Sequence, residues 1–154
     1  MSVYFLDSSA LVKRYVTEIG TAWIQQMADP SLHNQLIIAR ITWVEVLSAF
    51  ARRQREGSFS PTDTVKAIQT FRYDLDMQYQ VVELSQTVAE AAGRLVTNHS
   101  IRAYDAVQLA SAVHIQTALV QTQSITLNFL TADDRLTPIA QAEGFLTDNP
   151  NHHP

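Results

Sequence analysis

The sequence contains no cysteine, which removes disulfides, thiolate nucleophiles and cysteine-ligated zinc from consideration. The same absence leaves the redox compartment open. Lysine is scarce, confined to Lys13 and Lys66; the remaining positive charge is arginine, the better side chain for bidentate phosphate contacts. No apolar run approaches the ~20 residues of a membrane-spanning helix. The N-terminus lacks a basic stretch followed by a long apolar one, so no signal peptide is read and a cytoplasmic chain is expected. Charged residues are few, 17%, and the formal net charge is −4, which argues against capture of nucleic acid by bulk electrostatics. A bound cation that inverts the local field would still admit RNA.

What is present suits one compact domain: 154 residues, 46% of them hydrophobic, can bury a sizeable core. That domain is expected over residues 1–147, with the aperiodic polar segment 148–154 as a disordered tail. Val3-Tyr4-Phe5-Leu6 is a short apolar run of the kind found in strands buried on both faces. Similar runs recur at Leu36–Ala39, Gln80–Leu84 and Leu127–Thr131, with Phe145-Leu146 as a short final candidate. Helix-spaced stretches alternate with them. Thr42 is read as the cap of a helix closed by Gly57, and Ser60-Pro61 as the start of another. Its apolar stripe is expected at Val65, Ile68, Phe71 (or Arg72) and Leu75. In the stretch Ile101 to His114 the second half reads as an alanine-rich helix, with Asp105 at or near its start and no clear strand before it. The alternation predicts a three-layer α/β/α sandwich with a mainly parallel central sheet.

Four acids fall at comparable places along this pattern. Asp7 and Asp133 directly follow strands, while Glu45 and Asp105 lie in the first turns of helices. In a parallel sheet with right-handed crossovers these positions share one edge, where ligands bind in open α/β folds. Each acid alone is also a favourable helix-terminal residue, and that reading stands beside the functional one. Together the four would repel one another unless a cation or a raised pKa relieved the charge. Oxygen donors select hard cations such as Mg²⁺, which also accepts phosphate oxygens. No histidine is placed beside them, so zinc is the poorer candidate.

Four segments together resemble the PIN-domain family, and within it the VapC-type toxin ribonucleases. They are Leu6-Asp7-Ser8-Ser9-Ala10-Leu11-Val12-Lys13, Trp43-Val44-Glu45-Val46, the stretch from Arg102 to Ala112, and Phe129-Leu130-Thr131-Ala132-Asp133-Asp134-Arg135-Leu136. The resemblance implies a metal-dependent endoribonuclease in which Asp7, Glu45, Asp105 and Asp133 form a Mg²⁺ or Mn²⁺ site. Asp7 and Asp105 are then direct ligands, and Ser9 and Thr131 fix ligands or waters by hydrogen bonds. Arg52 and Arg102 are candidate contacts for substrate phosphate or for a partner. Asp134 is read as a cap for the last helix. The class also implies a small antitoxin blocking the acidic groove and a homodimer, with candidate faces on the helices around Trp43–Phe50 and Val65–Leu75.

Other readings are weaker or less specific. Haloacid-dehalogenase-like phosphatases place a second Asp where this chain has Ser9, and receiver domains need a late lysine that is absent here. A PIN-like nuclease acting on DNA or in RNA processing, and a non-catalytic PIN-like binding module, remain as alternatives.

Overall fold

The structure is a computed structural model that describes residues 1–123 and 125–154. Among the described residues five strands form one sheet in the order β3-β2-β1-β4-β5, every pair parallel. The strands are β1 (Val3–Leu6), β2 (Gln35–Ala39), β3 (Tyr79–Val82), β4 (Asn128–Leu130) and β5 (Leu146–Asp148). The helices are α1 (Ser8–Leu11), α2 (Thr21–Met27), α3 (Thr42–Arg55), α4 (Pro61–Met77), α5 (Gln86–Asn98), α6 (Ala103–Gln123) and α7 (Thr137–Ala142). This is the three-layer α/β/α sandwich that strand–helix alternation predicts.

Alternation along β1 divides the core. Val3 and Phe5 point to the layer of α5, α6 and α7, whereas Leu6 joins Leu11, Ile24, Phe50 and Phe71 on the opposite face. Phe5 lies in register with Phe129 on β4 and stacks on it, centroids 5.6 Å apart and planes 6° apart. Burying such a ring contributes about 1.5–3 kcal/mol. The small residues Ala106, Ala110, Ser111 and Ala112 let α6 lie close over the sheet. After β1, β2 and β3 the chain crosses back to place β4 on the other side of β1. The carboxyl ends of β1 and β4 therefore flank the point where strand order reverses.

Local expectations differ from the structure in three places. Thr42 lies inside α3 and, fully buried, accepts a hydrogen bond from Gln108 Nε2 at 2.9 Å; Ile41 occupies the cap position. On α4, Thr64 and Ala67 are buried with Phe71 and Leu75, and Val65 is exposed. Asp134 does not cap α7; its Oδ1 accepts from Asn149 Nδ2 at 2.9 Å. Along the Trp43–Phe50 stripe Phe50 is buried against Tyr15, while Trp43 packs on Phe71 and stays partly exposed.

The polar end of the chain is ordered rather than loose. Asp148 belongs to β5, Pro150–His152 forms a 3-10 turn, and the His153 ring stacks on Trp23 with centroids 4.1 Å apart. His153 Nε2 also pairs with Asp148 Oδ1 at 2.9 Å. These are specific polar and stacking contacts, which leave no hydrophobic period for a sequence pattern to display. Gly20 lies under this segment in a left-handed conformation, φ +87°, and a Cβ there would sit 2.4 Å from the Pro150 carbonyl oxygen. Gly20→Ala is therefore expected to destabilise the fold by about 2 kcal/mol or more. Gly57→Ala, also at positive φ but facing open space, should cost about 1 kcal/mol. Urea denaturation of both variants checks this. Equal losses would mean that the C-terminal segment does not bear on Gly20.

Candidate active site

Asp7 occupies the end of the central strand with only 3% of its surface exposed. Its backbone N–H continues the ladder to the Leu130 carbonyl at 3.1 Å, fixing the residue beside the end of β4. Both carboxylate oxygens are held. Ser9 Oγ donates to Oδ1 at 2.7 Å and the Ala10 N–H to the same oxygen at 3.0 Å, while Thr131 Oγ1 donates to Oδ2 at 2.6 Å. Asp7 thus caps α1 and also faces the cleft. Burial pushes its carboxyl up to about 6 against the pull of those three donors, with Asp105 adding a smaller rise through like charge. Ser9 and Thr131 have further roles in the loop after β4. The Ala132 N–H donates to Ser9 Oγ at 2.9 Å, and the Asp133 N–H to Thr131 Oγ1 at 3.1 Å.

Glu45 enters from the first turn of α3. Gln108 Nε2 on α6 donates to Oε1 at 2.8 Å, and Ser8 Oγ to Oε2 at 3.2 Å. Burial raises the Glu45 pKa, an effect these two donors reduce. Asp105 lies in the first turn of α6, which follows α5 directly, so its position owes nothing to a preceding strand.

Two arginines balance the outer acids. Arg102 Nε lies 3.0 Å from Asp105 Oδ2, and the same guanidinium reaches Asp133 Oδ2 at 3.5 Å. Arg135 also meets Asp133 Oδ2, at 3.2 Å. Burial would raise the Asp133 carboxyl, but the Arg135 hydrogen bonds and the charges of Arg135 and Arg102 outweigh it and hold it below the usual range.

All four acids line one cavity of about 660 Å³, together with Ser8, Ser9, Arg52 and Arg102. A smaller hollow of about 290 Å³ adjoins it across Arg102 and shares Asp105 and Asp133. Among the described residues no three acids or histidines are drawn into a ready-made metal cage. The carboxylates are instead arranged around an open cleft, with Arg102 and Arg135 paired to the outer two. The donor chemistry there is carboxylate and hydroxyl, free of imidazole and thiol, the set that suits a hard divalent cation. His114 is exposed elsewhere on α6.

Sequence reasoning did not find Ser8, Gln108 or Arg135 as site residues. Ser8 and Gln108 serve Glu45 from 37 and 63 residues away, a distance over which no local pattern signals contact. Arg135 sits two residues after Asp133, and that proximity was the available signal.

The PIN-domain family model matches residues 4–140. Ribonuclease VapC45 of Mycobacterium tuberculosis (strain CDC 1551 / Oshkosh) is 30% identical over 115 residues, 75% of this chain and 78% of that protein. The structure of VapBC2 from Rickettsia felis bound to a promoter DNA fragment aligns with a TM-score of 0.65 at 12% identity, covering 96% of this chain and 98% of that one. Mycobacterium tuberculosis VapC20, described as a sarcin-ricin loop cleaving toxin, aligns with a TM-score of 0.61 at 15% identity, covering 93% and 96%. At these identities the structural likenesses speak for the fold.

The buried Asp7 predicts a pH signature in EDTA. Its folded pKa of about 6 stands above the ordinary 3.8, so between these values the folded state binds more protons than the unfolded one. Stability therefore falls as pH rises from 4 through 6, by up to about 3 kcal/mol. Asp7→Asn should reduce that fall to the share that the raised Glu45 carboxyl contributes, and denaturant unfolding at pH 4.5 and 7.5 measures it. The same loss in both proteins would show that Asp7 ionises normally.

Proposed function

The chain belongs to the PIN-domain family, and from that premise we propose that it is a VapC-type ribonuclease whose cleft carboxylates hold Mg²⁺ or Mn²⁺ for hydrolysis of RNA phosphodiester bonds. The observation that carries this reading is the convergence of Asp7, Glu45, Asp105 and Asp133 on one open cavity, in a relative of ribonucleases. When bound, the divalent cation supplies a lowered water pKa and offsets charge developing on the phosphate.

The chain's own residues do the rest. Asp7 and Asp105 would hold the cation directly, with Glu45 and Asp133 completing its surroundings. Ser9 and Thr131 keep both Asp7 oxygens in place, so the carboxylate needs little reorganisation when its charge is used. Glu45, whose oxygens accept from Gln108 and Ser8, lines the same cavity and is suited to orient an attacking water and accept its proton. Arg102 and Arg52 line the same cavity and would meet the phosphate oxygens.

The partner expected for this class is a small antitoxin that fills the acidic cleft with a basic side chain. The Arg102 bridge between Asp105 and Asp133 supports that chemistry, because one guanidinium already fits between two of the acids. A homodimer is also part of the proposal. The outward residues Val65, Tyr73 and Met77 of α4 are exposed and suit such a contact.

End-labelled single-stranded RNA tests the activity in Mg²⁺, in Mn²⁺ and in EDTA. Cleavage is expected with either metal and not in EDTA. Asp7→Asn and Glu45→Gln should each lower the rate roughly 100-fold or more, and Ser9→Ala, which removes one donor, roughly 10-fold. Cleavage that persists in EDTA and in both acid variants would overturn the proposal.

A further inference from the structure

Most polar clusters away from the cleft are satisfied internally. Arg14, Tyr15, Asp74 and Tyr79 bond one another, and Lys13 is held by Glu18 and the Ile19 carbonyl. The rim of the cleft carries exposed apolar side chains beside its paired charges. Val44 and Tyr104 are 64% and 65% exposed, although both are large apolar side chains. Each immediately precedes a cleft acid, Val44 before Glu45 on α3 and Tyr104 before Asp105 on α6, and both line the 660 Å³ cavity. Ile41 and Ala49 extend the apolar wall, and Arg52 and Arg102 stand in the same lining.

An aromatic ring, an apolar wall and two guanidinium groups around a phosphate-cleaving centre match what one nucleotide presents. The flat base stacks on a ring, and its phosphate meets arginine. The volume is ample, since pockets for small ligands run from roughly 300 to 1,000 Å³. We propose that Tyr104 and Val44 form a seat for one unpaired nucleobase next to the scissile phosphate, so that the enzyme grips its strand by stacking as well as by charge. The base must leave its own stack to enter, which makes a duplex a poor substrate at this position. The inference rests on the nuclease reading above and adds a specificity-determining pair to it.

An abasic scan tests the seat. A fluorescein-labelled single-stranded RNA cleaved by the wild-type protein is remade with one abasic nucleotide at each position near the cleavage site. Affinities are read by anisotropy with Asp7→Asn protein in Mg²⁺, so that the strand stays intact. Tyr104→Ala in that background should weaken binding of the unmodified strand roughly 10-fold, and Tyr104→Phe should restore it. One abasic position should weaken binding to the protein that keeps Tyr104 by a similar factor, while leaving the Tyr104→Ala protein indifferent. In the active protein the same change should raise KM more than it lowers kcat.

Equal binding of the unmodified strand with and without the Tyr104→Ala change, and no abasic position coupled to the ring, would overturn the seat and mark the rim as a contact for a protein partner. Absence of RNA cleavage by the wild-type protein would instead remove the nuclease reading, and the seat with it.

Discussion

The buried carboxylate of Asp7 is the constraint around which the site is arranged. A charge at 3% exposure is costly, and the fold meets that cost with two hydroxyls and one backbone N–H on its two oxygens. Those donors come from α1 and from the end of β4, so satisfying Asp7 also sets the loop that carries Asp133. The sheet order makes this possible. Because β4 returns to the side of β1 opposite β2, the ends of β1 and β4 lie side by side where the strand order reverses.

Charge balance then explains the surroundings. The inner acids, buried Asp7 and half-buried Glu45, have raised pKa values, whereas the outer pair is met by Arg102 and Arg135. A cleft of this kind is poised for a positive charge. Three occupants of the same chemistry compete for it in the proposed function: a divalent cation, the chain's own Arg102, and a basic side chain of an antitoxin. Arg102 is 67% exposed, so little packing holds it between the acids when another cation arrives.

The layers and the parallel sheet were legible because short apolar runs and helix-spaced stretches alternate along the chain. The four acids were legible for a related reason: each sits where a strand ends or a helix begins, and topology brings those places to one edge. The support for Glu45 was not. Thr42 resembles any hydroxyl ahead of a helix, yet Gln108, far along the chain, draws it inside α3. The last residues resemble a loose tail because Trp23, Asp134 and Asp148 hold them by single contacts rather than by a buried stripe. On α4 the sequence favours the larger apolar residues, while the face turned inward carries Thr64 and Ala67 and leaves Val65 exposed.

Whether the cleft is a cation centre is addressed most directly by Mn²⁺ binding, measured by calorimetry on the protein freed of metal. The wild-type chain should bind Mn²⁺, with the affinity lowered roughly 10-fold or more in Asp7→Asn and in Asp105→Asn, and Arg102→Gln should bind at least as tightly as wild type. Failure of the wild-type protein to bind Mn²⁺, or unchanged affinity in both aspartate variants, would contradict a cation centre there.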